Sequence, residues 1–344
     1  MSKRNFSMQA YWDKKAEEWT PLLSFRGTTA EDYAAWKALA LPRLLALLGD
    51  FPAPVEPRAE VECAVEEDGL IRERVVFDSE EGMSVPCVLL RPRNTAEDRG
   101  GAAILCCHGH GAFGKDPVAG VRATPAHEAD IARHRYDYAA RLAREGFVTL
   151  APDLRGFGER KDGLDPFPGR DRCNVNFIKG ALLGLYLLTL NIWDMKCCVD
   201  YLQSRPEVDP GRIGMMGLSL GGTMTAFTTA VEPRIQAANI CGYGGSWAAF
   251  AMERANFCGA QIAPEIYRYF DLPDIFGLIA PRPLLLDMGI YDDNFTISEM
   301  LEGAGRARAM YAAAGSPGAL QTDVHPHGHA FGGDKAAAFF RAAL

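Results

Sequence analysis

The sequence predicts an α/β protein with a mostly parallel sheet of about eight strands and helices on both faces. Helical stretches separate most of the strand candidates in the middle and C-terminal parts of the chain, which is typical of strand–helix–strand units. Nearly continuous apolar runs predict strands buried on both faces. These runs and two later candidates lie at residues 102–107, 148–152, 212–216, 235–241, 283–288 and 320–324.

Residues 1–59 predict a helical arm that packs on the core, because apolar side chains repeat there at helical spacing. Pro52, Pro54 and Pro57 then stop helix formation. The α/β domain is predicted to span residues 60–344, without a long linker before it.

The first part of this domain predicts an antiparallel edge. Strand-like residues 74–77 and 85–90 are separated by a turn-like stretch at 78–82.

Three long segments interrupt the regular alternation, near residues 115–135, 156–176 and 247–276. The first two follow predicted strand ends, where open α/β sheets place their ligands. The third contains several aromatic residues and predicts either a lid or an ordinary surface excursion.

The net charge and the lengths of the apolar runs argue against nucleic acid and a membrane as partners. The net charge of −8 and the pI near 5.5 offer no excess of cations for nucleic acid. The polar start, without the apolar core of a secretory signal, predicts a cytoplasmic protein. The longest uncharged apolar run, residues 180–193, has fourteen residues, fewer than the ~18 that a membrane span needs. This run predicts a buried helix instead.

The nine cysteines are scattered and show no C-x-x-C spacing, which predicts reduced thiols and no zinc site. Cys173 and Cys258 lie in loop-like segments and could approach one another, but spacing alone gives no geometry. No cofactor or metal is expected.

The pentapeptide Gly217–Gly221 matches the G-x-S-x-G pattern between a predicted strand and a helix of small residues. A serine in this turn, here Ser219, is presented as a nucleophile. The turn needs glycine on both sides because its strained backbone leaves no room for neighbouring Cβ atoms.

A serine nucleophile needs a neutral imidazole as its base and an acid that orients the imidazole. In this architecture the chain order is serine, acid, histidine, so the base comes from the last of the seven histidines. His329 is favoured because it lies in the loop that leads into the last helix. His327 is the alternative, and His325 is too near the strand end.

The acid is expected after the strand at residues 284–286. Asp287 is at the edge of that strand, whereas Asp292 follows a turn at Gly289 and can reach over the sheet. Asp292 is therefore favoured, with Asp293 second.

The oxyanion of the tetrahedral intermediate needs two backbone N–H donors. Leu220, directly after the serine, supplies one, and His110, in the loop after an earlier strand, is the best candidate for the other. The side chains of His108 and His110 are expected to brace this loop.

Residues 109–114 also match the G-x-G-x-x-G pattern of dinucleotide sites. A dinucleotide site would need a helix that opens on those glycines, and residues 115–120 break one. This alternative therefore rests on a single weak motif.

Several motifs in one order resemble the serine α/β-hydrolases, specifically the acetyl-xylan-esterase-like and dienelactone-hydrolase-like group called α/β-hydrolase family 7. The resemblance covers about residues 60–344. Its motifs are His108–Gly111 with Gly114 and Lys115, Ala151–Arg160, Asp200–Leu202, Asp209 and Pro210, Arg212–Gly214 before the elbow, Leu278–Leu284, Gly289 with Asp292, and Gly328 and His329 with Phe331.

This resemblance implies an α/β-hydrolase fold, a triad of Ser219, Asp292 and His329, and an oxyanion hole formed by His110 and Leu220. Two departures are Asp293, where the family commonly has proline, and Leu220, where many members have glycine or glutamine. The implied activity is hydrolysis of small acyl esters, including acetylated sugars, through an acyl-enzyme. A peptidase or amidase on the same triad is the nearest alternative. A silent binding protein on this fold and a homo-oligomer also stay open.

Overall fold

A computed structural model of the chain describes residues 4–95, 100–161, 172–254 and 257–344. Within these residues, nine strands form one sheet in the order β1-β2-β3-β5-β4-β6-β7-β8-β9. The strands are β1 (Glu60–Glu67), β2 (Leu70–Glu80), β3 (Met83–Pro92), β4 (Gly101–Cys107), β5 (Val148–Pro152), β6 (Val208–Leu218), β7 (Ile235–Cys241), β8 (Leu284–Gly289) and β9 (Leu320–His325).

The α-helices of the described residues lie around this sheet. They are α1 (Met8–Glu18), α2 (Ala30–Leu48), α3 (Lys115–Val118), α4 (Pro125–His134), α5 (Tyr138–Arg144), α6 (Arg172–Leu183), α7 (Leu187–Ser204), α8 (Leu220–Val231), α9 (Ile266–Tyr269), α10 (Leu272–Ile279), α11 (Ile297–Ala313) and α12 (Ala336–Ala343). Two short 3-10 turns at Gly158–Arg160 and Pro317–Ala319 and a π-helical turn at Ala248–Glu253 complete the elements.

The predicted fold class is confirmed. Strands β1, β2, β3 and β5 pair antiparallel, and all pairs from β5 to β9 are parallel. The carboxyl ends of the parallel strands therefore meet at one edge of the sheet. The strand that the sequence did not single out is β1, whose residues are all exposed and which therefore has no apolar face to reveal it.

The antiparallel edge is longer than predicted, because β2 and β3 extend to a two-residue turn at Glu81 and Gly82. Gly82 has a φ of 78°, which glycine adopts without strain. The turn is therefore shorter than the predicted turn-like stretch at residues 78–82, and that prediction was wrong in its length. Asp78 and Glu80 instead pair with β3.

Alternate side chains of the central strands point into two separate cores. Ala103, Leu105 and Cys107 of β4 belong to one apolar cluster, and Ala102, Ile104 and Cys106 belong to the other. The first cluster also contains buried residues of α2, α7, α8, α10 and α11, and the second contains those of α5 and α12. Helices thus cover both faces, and every central strand is buried on both sides.

Within the N-terminal arm, α2 is packed on the core and α1 has no buried residue. The Tyr33 hydroxyl donates to the carbonyls of Gly277 and Ala280 at 3.0 and 2.9 Å. The chain between α1 and α2 is attached as well, since the Phe25 N–H donates to Asp274 at 3.0 Å. The predicted division of the chain at residues 59 and 60 stays a prediction.

The apolar run at residues 180–193, predicted as one buried helix, is divided between α6 and α7. Gly184, with a φ of 73°, lies between the two helices, whose axes differ by 95°. Leu182 and Leu183 are 82% and 76% exposed, whereas the side chains of α7 are mostly buried. Among the described residues no single helix is long and apolar enough to span a membrane, although this bent pair passes the same length and composition test.

The three predicted insertions contain short elements. Residues 115–135 hold α3 and α4, and the Thr124 hydroxyl caps α4 by accepting the His127 N–H. Residues 162–171, within the second insertion, and residues 255–256, within the third, lie outside the described residues. Whether the third acts as a lid stays a prediction.

Candidate active site

The turn between β6 and α8 places Ser219 above the carboxyl edge of the sheet. Ser219 has φ 61° and ψ −118°, a strained conformation for a non-glycine residue. A Cβ on Gly217 would lie 2.5 Å from the Gly221 backbone, and a Cβ on Gly221 would lie 2.2 Å from the Cys107 carbonyl oxygen. Both glycines are therefore required by space, as the sequence predicted for a nucleophile elbow.

The loops after β8 and β9 bring Asp292 and His329 together. Asp292 Oδ2 lies 2.8 Å from His329 Nδ1, while Asp292 Oδ1 accepts the N–H groups of Asn294 and Phe295 at 2.8 and 2.9 Å. The Asp292 side chain is fully buried, and that of His329 is 13% exposed. An ionised carboxylate is acceptor-only, so Nδ1 carries the proton and Nε2 is left as the basic nitrogen.

The alternatives weighed in the sequence lie elsewhere. Asp293 is exposed to solvent, next to the buried Asp292. The ring of His327 contacts the Arg135 guanidinium, and slight burial together with that charge lowers its pKa. His325 is buried and contacts Asp287 at 2.7 Å.

Ser219 and His329 line the same cavity of about 690 Å³. His329 packs beside the elbow, because a Cβ on Gly242 would lie 2.9 Å from the Leu218 side chain and 3.2 Å from the His329 ring. No hydrogen bond joins the hydroxyl of Ser219 to His329. The other described residues of the lining are His110, Gly111, Ala112, Asp130, His134, Tyr136, Asn174, Leu218, Phe250, Phe257, Cys258, Gln261, Asn294 and Phe295.

The loop after β4 packs directly on the elbow, since a Cβ on Gly109 would lie 3.2 Å from the Cβ of Ser219. The Gly109 N–H donates to the Tyr136 hydroxyl at 2.5 Å and is therefore engaged. His110 follows it in this loop. Leu220 is the first residue of α8, where a backbone N–H has no acceptor within the helix. These positions suit the two N–H groups expected as oxyanion donors.

The His108 side chain braces this loop, as expected from the sequence. Its Nδ1 donates to the Gly109 carbonyl at 2.6 Å, and its Nε2 accepts the Leu154 N–H at 3.0 Å. Complete burial lowers the pKa of His108, so the ring stays neutral in these contacts. His110 differs from the expectation, because its ring contacts Cys258 instead of the loop backbone.

The motif at residues 151–160 supports the same region through Asp153. Its carboxylate accepts the N–H and the ammonium of Lys115 at 2.8 and 2.9 Å and the Glu159 N–H at 3.0 Å. A Cβ on either Gly114 or Gly158 would lie 2.1 Å from Asp153 Oδ1. Burial acts to lower the pKa of Lys115, but Asp153 and Glu159 outweigh it and the pKa is raised.

This network also explains the G-x-G-x-x-G match at residues 109–114. Gly109 and Gly114 are required by close packing within the protein, against the elbow and Asp153. The helix that follows, α3, has four residues. A dinucleotide site would need a longer helix that opens on these glycines.

A family model described as the Abhydrolase family matches residues 2–327. The chain belongs to this α/β-hydrolase family. The match extends through the N-terminal arm, whereas the motifs found in the sequence begin near residue 60.

Several proteins of known sequence or structure resemble the chain. "Putative hydrolase YtaP" of Bacillus subtilis is 28% identical over 258 residues, covering 73% of this chain and 79% of that protein. A "putative acetyl xylan esterase" from Bacteroides fragilis has a TM-score of 0.76 at 19% identity, covering 94% and 83% of the two chains. A glucuronoyl esterase from Solibacter usitatus has a TM-score of 0.68 at 16% identity, covering 95% and 98%. At these identities the two solved structures show the fold.

The sequence allowed an approach of Cys173 to Cys258 but did not indicate that His110 joins them. Cys173 and Cys258 meet beside the cavity, and the Cys258 thiol lies 3.0 Å from His110 Nε2. The contacts with Cys173 and then His110, opposed by burial, lower the pKa of Cys258 to about 5. The three residues are far apart in sequence, so no spacing pattern could indicate this cluster.

Proposed function

We propose that the chain is a serine esterase that uses Ser219, Asp292 and His329. The observation that carries the proposal is the buried Asp292–His329 pair on a cavity that also exposes an elbow serine. This combination supplies an oriented base and a nucleophile in strained backbone geometry, which are the two requirements for attack on an acyl carbon.

In the proposed first step, Ser219 Oγ attacks the ester carbonyl carbon and its proton passes to His329 Nε2. The N–H groups of Leu220 and His110 hold the resulting oxyanion. The intermediate then collapses to an acyl-enzyme, and the alcohol leaves with the proton from His329.

In the second step, His329 takes a proton from water, which attacks the acyl carbon. Collapse releases the carboxylic acid and returns the proton to Ser219. Asp292 holds the Nδ1–H of His329 throughout and stabilises the imidazolium.

The lining of the cavity favours acetyl esters of neutral sugars. Phe250, Phe257 and Phe295 offer apolar faces, while Gln261 and Asp130 offer polar groups. Asp130 Oδ2 is buried and has no hydrogen-bond partner among the described residues, so it suits a substrate hydroxyl. Among the described residues of the lining there is no lysine or arginine to bind a substrate carboxylate.

The second candidate is an esterase for uronic acid esters, favoured by the fold likeness to glucuronoyl esterases. Hydrolysis rates on acetylated xylo-oligosaccharides and on methyl glucuronate esters separate the two. A matched pair of ester and amide substrates separates esterase from peptidase.

The decisive test is Ser219→Ala. Turnover of an acetyl ester should fall by about six orders of magnitude, because the members of a triad act as a unit. Ser298→Ala, at an exposed position of α11, is the matched control and should keep full activity. A fluorophosphonate probe should label the wild type and the control but not Ser219→Ala. If Ser219→Ala hydrolysed the ester at nearly the wild-type rate, the proposal would fail.

A further inference from the structure

Three soft ligand atoms meet at the rim of the cavity. The ring nitrogen of His110 and the sulfurs of Cys173 and Cys258 all lie within 4.8 Å of one another. They come from three separate parts of the chain: the loop after β4, the start of α6, and the segment between the π-helical turn and α9. The three side chains are therefore not neighbours within one helix or strand, and the tertiary fold brings them together.

The burial of these residues suits a site that is open on one side. Cys173 and Cys258 are 4% and 7% exposed, whereas His110 is exposed to solvent. His110 and Cys258 also line the cavity that contains Ser219. An ion held by the three side chains would have two buried anionic ligands and a path from solvent.

The chemistry of the donors selects the ion. Zn²⁺ prefers cysteine sulfur and histidine nitrogen, with bonds of about 2.3 and 2.0–2.1 Å in a tetrahedron, which places neighbouring ligand atoms about 3.5–3.8 Å apart. The separations between 3.0 and 4.8 Å in this cluster bracket that range. Side-chain adjustments of less than about 1 Å would complete three corners of the tetrahedron.

We propose that His110, Cys173 and Cys258 bind one Zn²⁺ ion, with the fourth coordination position left for water or a ligand in the cavity. Its ligands are three side chains, so Ser219 and the backbone N–H of His110 stay available for the serine chemistry. The ion would tie the start of α6 and the Cys258 segment to the loop after β4.

The test uses the full chain, kept reduced with a phosphine and treated with a chelator that is then removed. Titration with zinc and elemental analysis should give one equivalent per chain. Titration with Co²⁺ should give the d–d bands of tetrahedral cobalt and a thiolate-to-cobalt charge-transfer band. Cys63→Ser removes an exposed cysteine and is the matched control, with binding as in the wild type.

Cys173→Ser, Cys258→Ser and His110→Ala should each lose the bound zinc, and the two serine variants should also weaken the charge-transfer band. His110 is exposed, so His110→Ala gives a readout even if a buried cysteine variant fails to fold. Ser219→Ala should bind zinc normally, which keeps this test independent of the proposed esterase. Zinc binding equal in the wild type and in the Cys173→Ser/Cys258→Ser double variant, or a cobalt spectrum without a thiolate band, would overturn the proposal.

Discussion

Two aspartate–histidine pairs lie side by side on the same strand ends, and they differ in what surrounds them. Asp287 and His325 meet at 2.7 Å at the ends of β8 and β9, whereas Asp292 and His329 meet at 2.8 Å in the loops that follow. The His325 side chain is 1% exposed and the His329 side chain is 13% exposed. His329 alone of the two histidines lines the cavity with Ser219.

An aspartate–histidine contact therefore does not by itself make a base. The buried pair holds the backbone instead: Asp287 also accepts the Gly332 N–H at 3.1 Å, three residues after His329. A Cβ on Gly332 would lie 2.4 Å from the His325 ring, so this contact is tightly packed. Asp287 and His325, the inner pair, thus position the loop that carries His329, which forms the outer pair with Asp292.

The largest effect should come from His329→Gln. Glutamine cannot take the serine proton, so turnover of an acetyl ester should fall by about six orders of magnitude. The melting temperature should stay within a few degrees of the wild type, because the side chain is at the surface of the cavity. Residual activity within about a hundredfold of the wild type would place the base elsewhere.

Asp292→Asn should have the next largest effect. The amide can no longer fix Nδ1 as the protonated nitrogen of His329, and turnover should fall by about four orders of magnitude. Asp293→Asn is the matched control at the adjacent, exposed position and should retain turnover within a few-fold. Equal losses in the two variants would contradict the assignment of the acid.

The sequence predicted the residues of the outer pair from chain order and turns. Asp292 and His329 follow the ends of predicted strands, where parallel topology places side chains together. The glycines around Ser219 could also be predicted, because the elbow leaves no space for a Cβ. What could not be predicted was the role of Asp287 with His325, since pairing across two strand ends depends on register.

Other features could not be predicted from the sequence, for similar physical reasons. The Cys173–Cys258–His110 cluster joins residues that are distant in sequence, so no spacing pattern marks it. The break at Gly184 lies inside an apolar run, where hydrophobicity alone favours one continuous helix. Strand β1 has no buried face and is held by its ladder to β2. Local patterns therefore predict local structure better than contacts between distant segments.

A stability measurement separates the inner pair from the outer one. His325→Leu removes the donor to the buried Asp287 carboxylate and should lower the free energy of unfolding by about 3 kcal/mol. Urea unfolding followed by circular dichroism measures this change. His327→Leu, at a partly exposed position in the same loop, is the control and should cost less than about 1 kcal/mol. If His325→Leu were as stable as the control, the inner pair would not be a brace.

The smallest effect concerns the pH dependence of the inner pair. Burial raises the pKa of Asp287, although the hydrogen bonds from His325 and Gly332 act in the opposite direction. An acid whose pKa is higher in the folded chain contributes stability fully below its unfolded pKa, about 3.9, and loses it as pH rises through the folded pKa. Asp287→Asn cannot ionise, so the free energy of unfolding of the wild type minus that of the variant should be highest near pH ~4 and should fall as pH rises. If this signed difference rose with pH in urea unfolding, the site would stabilise the carboxylate over the protonated acid.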